Sequence, residues 1–185
     1  MNKESDLESE DDSKIYRDET EGEMYEDETK LCWDLHKAAS KNNAGKCARL
    51  IDHFGAFVDC VDSNKNTPLH AAALKSFDAC DVLLENGAKV NAQNKFRQTA
   101  LHITESPKIC ELLILFGSDV NRKDMDKHTP LQLAAMRGNY KMCKILLEHG
   151  ANAIDPKCYA ATLKIHKLLT HQKTKDENHD LLSLF

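Results

Sequence analysis

Four cysteines, Cys47, Cys80, Cys110 and Cys143, stand at one recurring position, each three residues before a leucine (Leu50, Leu83, Leu113 and Leu146). Four thiols in register invite a metal or disulfide reading, and spacing argues against both. Repeated units that stack side by side set equivalent positions on neighbouring helices roughly 8–10 Å apart. Zinc holds each thiolate at about 2.3 Å, and a disulfide needs Cα atoms less than about 7 Å apart. The four are therefore expected to be small buried hydrophobes. Cys32, Cys60 and Cys158 fall outside this register and have room to be exposed. His36, His70 and His102 also recur at one position. No nucleophile–base pair, phosphate-binding loop or paired metal-ligand spacing occurs elsewhere. No catalytic residue, cofactor or metal is assigned, and no enzymatic activity is expected.

The elements that carry these residues repeat. Thr67-Pro68-Leu69-His70-Ala71-Ala72-Ala73 is followed by Thr99-Ala100-Leu101-His102, and then by Thr129-Pro130-Leu131-Gln132-Leu133-Ala134-Ala135. After each comes an apolar helical run and a glycine: Val82-Leu83-Leu84 with Gly87, Leu112-Leu113-Ile114 with Gly117, Ile145-Leu146-Leu147 with Gly150. The threonines lie 32 and 30 residues apart. A period of this size marks a stacked array of small helical units. Each threonine suits a helix N-cap, and Pro68 suits the first helical position, where its missing N–H costs nothing.

The Thr-Pro-Leu-His starts and the run Leu83-Leu84-Glu85-Asn86-Gly87-Ala88-Lys89-Val90-Asn91 resemble ankyrin repeats, over roughly residues 31–170. The resemblance implies an α-rich repeat solenoid of about four ankyrin repeats, each a helix-turn-helix plus a hairpin loop. The first repeat, at 31–61, is degenerate, with Leu35-His36-Lys37-Ala38-Ala39 but no Thr-Pro. Trp33 is expected to cover the open end of the stack, since a terminal repeat lacks a neighbour. The third repeat is three residues shorter than its neighbour, so its first helix should be a single turn (Ala100–Thr104). The lost turn should leave a notch on one face. Residues 158–171 read as a short helical cap. The resemblance also gives the histidines an architectural role, bonding locally and to the adjacent repeat.

One departure stands out. Ankyrin repeats usually carry glycine two residues before the threonine, because the hairpin turn requires positive φ. Here those positions are Lys65, Arg97 and Lys127. All are basic, at a strain of order 1 kcal/mol each. Stacking should set them in a row along the hairpin tips, joined by Lys95, Arg122 and Lys123, with Phe96 and Met125 as apolar anchors.

Charge is divided along the chain. The net −5 conceals 13 Asp/Glu against three Lys/Arg in residues 1–29, and a basic remainder. Residues 1–29 hold too few apolar side chains to offset their ordering entropy and are expected to be a disordered acidic tail. The repeat domain is expected over 30–172 and a flexible tail over 173–185, ending Leu181-Leu182-Ser183-Leu184-Phe185. Ser5 and Ser9, each with an acid three positions on, are candidate phosphorylation sites. Seven cysteines without a leading apolar segment argue for a reducing compartment, cytoplasm or nucleus, and no run is long enough to span a membrane.

Function is expected to be non-enzymatic protein recognition through the tips and the inner helix face, as a small adaptor or regulatory subunit. The partner would be a protein with an acidic segment, and residues 1–29 could compete with it for the row. One alternative is an inhibitor that masks a partner, similar to the NF-κB inhibitors or to the ankyrin inhibitors of cyclin-dependent kinases. The paired-serine degron of the former is missing at Asp12-Ser13-Lys14. A second alternative is a nucleic-acid-associated factor, for which the row is sparse and aromatic interleaving lacking.

Overall fold

The computed structural model describes residues 28–152, together with the backbone of two short strands at 16–17 and 24–25. Among the described residues, eight helices follow in four pairs. They are α1 (Glu28–Ser40) with α2 (Ala44–Asp52), α3 (Pro68–Ala73) with α4 (Phe77–Glu85), α5 (Ala100–Ile103) with α6 (Pro107–Leu115), and α7 (Pro130–Met136) with α8 (Tyr140–Glu148). The strands β1 (Tyr16–Arg17) and β2 (Met24–Tyr25) pair antiparallel, Tyr16 opposite Tyr25. The sequence had offered no strand there. The remainder of residues 1–27, the expected cap at 158–171 and the tail at 173–185 lie outside the described residues.

Local chemistry sets each helix boundary. Thr67, Thr99 and Thr129 stand extended at the N-caps, and the residue three positions on closes a capping box in each. The second helices end in Gly87, Gly117 and Gly150, at φ of 82°, 84° and 83°, a conformation that glycine adopts without penalty. First helices pack on first helices and second on second along the array. This buries a continuous ladder of Leu35, Leu69, Leu101 and Leu131 on one side, and Leu50, Leu83, Leu113 and Leu146 on the other. Ala72 and Ala134, both buried, keep the paired helices close. The α-rich ankyrin solenoid expected from the sequence is thus observed.

The in-register cysteines are fully buried in that ladder. Desolvation pushes the Cys47 thiol up to about 11, and those of Cys80 and Cys110 up to about 12. They are inert apolar filling.

Helix α5 is a single turn of four residues, as its shortened repeat required. Side chains of the next repeat reach across the space beside it. Arg137, at the end of α7, donates from Nη1 to the His102 carbonyl at 3.1 Å, and its Nε lies 3.5 Å from Glu105 Oε1. Asn139 Nδ2 donates to the Glu105 carbonyl at 2.7 Å. The carbonyls freed by the missing turn thus find donors in the next repeat, which the length of the third repeat alone did not reveal.

Candidate partner-binding surface at the hairpin tips

Three loops join the four helix pairs and are built alike. Asp62 Oδ1 accepts the backbone N–H groups of Asn64 and Asn66, both at 2.8 Å. Asn94 Oδ1 accepts those of Phe96 (2.9 Å) and Gln98 (3.0 Å), and Asp124 Oδ1 those of Asp126 (3.0 Å) and His128 (2.8 Å). Each short side chain folds back over its own turn, which suits Asp and Asn. The turn then needs positive φ three residues on. Lys65, Arg97 and Lys127 sit there, at φ of 58°, 57° and 65°. The glycine-free turns expected from the sequence are therefore real, and each holds a non-glycine residue in the left-handed region.

Neighbouring tips are tied together through the backbone. The N–H of Lys95 donates to the carbonyl of Asn64 at 2.9 Å, and that of Met125 to the carbonyl of Phe96 at 3.0 Å. Asn94 Nδ2 reaches Asn66 Oδ1 at 3.0 Å. Below the tips, Asn91 donates to the Gly117 carbonyl and accepts from the Asp119 N–H, and Asn121 does the same with Gly150 and Asn152. The row is a stiff ladder because every rung has a fixed partner.

All eight residues singled out for binding, Lys65, Lys95, Phe96, Arg97, Arg122, Lys123, Met125 and Lys127, are exposed, on tips that the Lys95–Asn64 and Met125–Phe96 backbone bonds set side by side. Phe96 is 43% and Met125 54% exposed. Lys95 Nζ lies 5.0 Å from the Phe96 ring centroid and contacts Asn64 Oδ1. The row is less uniformly basic than the sequence suggested. Arg122 pairs with Asp119 at 3.7 Å, and Asp62 and Asp126 are exposed beside Lys65 and Lys127.

The recurring histidines are architectural. His70 Nδ1 accepts from the Thr67 N–H at 3.1 Å, and Nε2 lies 3.0 Å from the Gln98 carbonyl. His102 repeats this with Thr99 and with the Arg122 and His128 carbonyls. Those bonds assign the neutral tautomer with the proton on Nε2. Desolvation lowers both pKa values, as it lowers that of His36. In the fourth repeat Gln132 Oε1 accepts from the Thr129 N–H at 2.7 Å and fills the same role.

Several residues of consequence were not singled out from the sequence. Asp62, Asn94 and Asp124 carry a legible signal, an Asp or Asn three before each basic tip residue. Asp124 also lies with Asp126 and His128 in a cluster of metal-ligand type. Its carboxylate is committed to the turn, and the neutral Asn94 does the same work one repeat earlier, so the cluster is turn chemistry. Cys32 and Cys60, out of register and with room to be exposed, are instead half-buried and joined in a disulfide, with Cα atoms 5.9 Å apart. No periodicity signals that pair, because it depends on how α1 crosses the first loop. Trp33, expected to cover the open end, is 59% exposed, with Lys37 Nζ 4.3 Å from its ring centroid. On the second-helix side, Phe77, Leu112, Ile114 and Leu115 line an apolar groove of about 810 Å³ with Lys108, Glu111 and His149.

Stacked helix pairs with projecting, rigidly spaced tips define a repeat scaffold of the protein-binding kind. The chain belongs to the ankyrin-repeat family, whose model (ankyrin repeats) matches three times, over residues 34–94, 77–158 and 96–178. This fold is a protein-interaction module and is generally non-enzymatic. Among curated relatives, the chain is 32% identical to inversin of Canis lupus familiaris over 122 residues, which is 64% of this chain and 11% of that protein. It is 35% identical to ankyrin repeat and SOCS box protein 5 of Mus musculus over 120 residues, 63% of this chain and 35% of that one. It is 30% identical to transient receptor potential cation channel subfamily A member 1 of Homo sapiens over 134 residues, 66% and 12% respectively. The chain thus spans about a tenth to a third of the length of these relatives. Among the described residues, no helix is long and apolar enough to cross a membrane.

Proposed function

We propose that the chain acts as a small non-enzymatic adaptor or regulatory subunit that binds an acidic protein segment along the hairpin-tip row. One observation carries this reading. Three consecutive tips hold Lys65, Arg97 and Lys127 in the left-handed conformation at a strain that glycine would relieve. Strain retained at a repeated, exposed position points to use of the side chain there. The stiff ladder sets the register of the cations, and Phe96 and Met125 add buriable apolar area between them. Such a surface recognises carboxylates at fixed spacing with an apolar residue between them.

The acidic stretch at residues 1–29 of the same chain is the nearest competitor, and phosphorylation at Ser5 and Ser9 would strengthen it. An inhibitor that masks its partner is the second form of the same reading, since a scaffold that only binds acts by holding or by blocking. A nucleic-acid partner is disfavoured by the acids interleaved with the row. Residence in the cytoplasm or nucleus goes with the reading.

The test is a pull-down with the full chain, a chain lacking residues 1–29, and a Lys65→Glu, Arg97→Glu, Lys127→Glu variant. One dominant protein partner that is lost from the reversal variant and enriched on the truncated bait supports the proposal. A partner retained by the reversal variant sinks it.

A further inference from the structure

The first repeat differs from the others in how its first helix begins. Helices α3, α5 and α7 start at a threonine-capped turn, but α1 begins at Glu28 and runs 13 residues. Four residues before the recurring histidine, the other repeats place Asn66, Gln98 and His128 in non-helical loop. The first repeat places Cys32 there, inside the helix. A separation of four residues sets Cys32 and His36 on one helical face, one turn apart. Cys60, in the loop before α3, crosses that face. Its carbonyl lies 3.3 Å from His36 Nε2, and its Sγ lies 3.8 Å from the Cys32 carbonyl.

The two sulfurs and a ring nitrogen of His36 all lie within 4.8 Å of one another. Tetrahedral coordination with bonds of about 2.3 Å to sulfur and 2.0–2.1 Å to nitrogen spaces ligand atoms roughly 3.4–3.8 Å apart, so the two sulfurs, once reduced, must move apart to take an ion between them while the nitrogen is already within reach. The bond from His36 Nε2 to the Cys60 carbonyl orients the ring and leaves Nδ1 to ligate, as a second-shell partner orients a ligating histidine. Cys32 and Cys60, though not His36, also line a recess of about 590 Å³ with Glu28, Thr29, Phe57 and Val61, which gives an ion a path to the two sulfurs. Two thiols and an imidazole select zinc over hard cations such as magnesium or calcium. The equivalents of Cys60 are Ala92 and Arg122, so no other described repeat can assemble this set.

We propose that Cys32, His36 and Cys60 form a Zn²⁺ site in the reduced chain, alternative to the Cys32–Cys60 disulfide. The exchange balances with a small-molecule thiol as reductant. Two such thiols supply two electrons and two protons to the S–S bond and leave as their own disulfide. Zn²⁺ then binds both sulfurs as thiolates and releases their two protons. In either state α1 is fastened to the loop before α3, so the open end of the array stays closed through a change of redox environment. The in-register cysteines belong to no cluster of metal-ligand type among the described residues.

The experiment titrates the reduced full-length chain with Zn²⁺ against a chromogenic chelator, and with Co²⁺ as a spectroscopic probe. The expected result is one Zn²⁺ per chain and a thiolate-to-cobalt charge-transfer band. Cys32→Ser and Cys60→Ser, checked for folding by circular dichroism, each abolish stoichiometric binding, whereas Cys158→Ser retains it. His36→Gln weakens affinity by at least the roughly 10–100-fold that loss of even an outer-shell partner costs. Should the serine variants fail to fold, alkylation mapping of the unaltered chain decides: zinc must protect Cys32 and Cys60 from reagent. A reduced chain that takes up no stoichiometric zinc overturns the proposal, as does zinc retained by both serine variants or failure of zinc to protect these two thiols.

Discussion

At Lys65, Arg97 and Lys127 the backbone demands φ near +60° while the side chain is exposed. A left-handed non-glycine residue costs roughly 1–2 kcal/mol, and the looser unfolded chain of a glycine variant returns part of that. Replacing all three by glycine should therefore stabilise the fold by about 2 kcal/mol, a rise in melting temperature of roughly 5 °C, while weakening partner binding. A fall in melting temperature would contradict the turn geometry. The buried histidines make a separate prediction. Desolvation lowers the pKa of His36, His70 and His102, so the folded state prefers the neutral rings. Their contribution is fully present above the unfolded value of about 6.5 and is lost as pH falls from there through the lowered folded values. Thermal unfolding at pH 7.5 and pH 5 should show this loss. A His70→Gln, His102→Gln variant should lose less stability over that interval, because Gln132 already fills the same position without titrating.

Elements here are held by their neighbours more than by their own length. A single-turn helix such as α5 cannot persist alone, since nucleation is costly and only packing sustains so short a segment. Arg137 sits at its free end. Its ion pair with Glu105 is exposed and contributes little, whereas its bond to the His102 carbonyl should be worth about 1 kcal/mol. Arg137→Ala should lower the melting temperature by roughly 2–4 °C. Arg137→Lys should recover only part of it, because an ammonium cannot reach the carbonyl and the carboxylate with one planar fork. A neutral Arg137→Ala would mean that water replaces the guanidinium without loss.

The described repeats form a linear array, each packed on its neighbours, so the ends open first. The Cys32–Cys60 disulfide closes the N-terminal end across a separation of 28 residues, a constraint of order 3 kcal/mol on the unfolded chain. Reduction in the presence of a chelator should raise amide exchange in α1 and α2 and leave α7 and α8 unchanged; a uniform rise across all repeats would show that the array unfolds as one unit. Much of this architecture was legible beforehand. The threonine period, the alanine and leucine ladders, the buried in-register cysteines and the glycine-free turns follow from local propensity and side-chain periodicity, and both are written residue by residue. The candidate surface was legible for the same reason: identical offsets in a stack put identical positions in a row. Two things were not. The bonds of Arg137 and Asn139 across to the third repeat and the meeting of Cys32 with His36 and Cys60 depend on where one repeat's side chains land on the next. Periodicity fixes what each repeat is. The angle and distance between repeats, set only when the cores pack, decide which unlike positions touch.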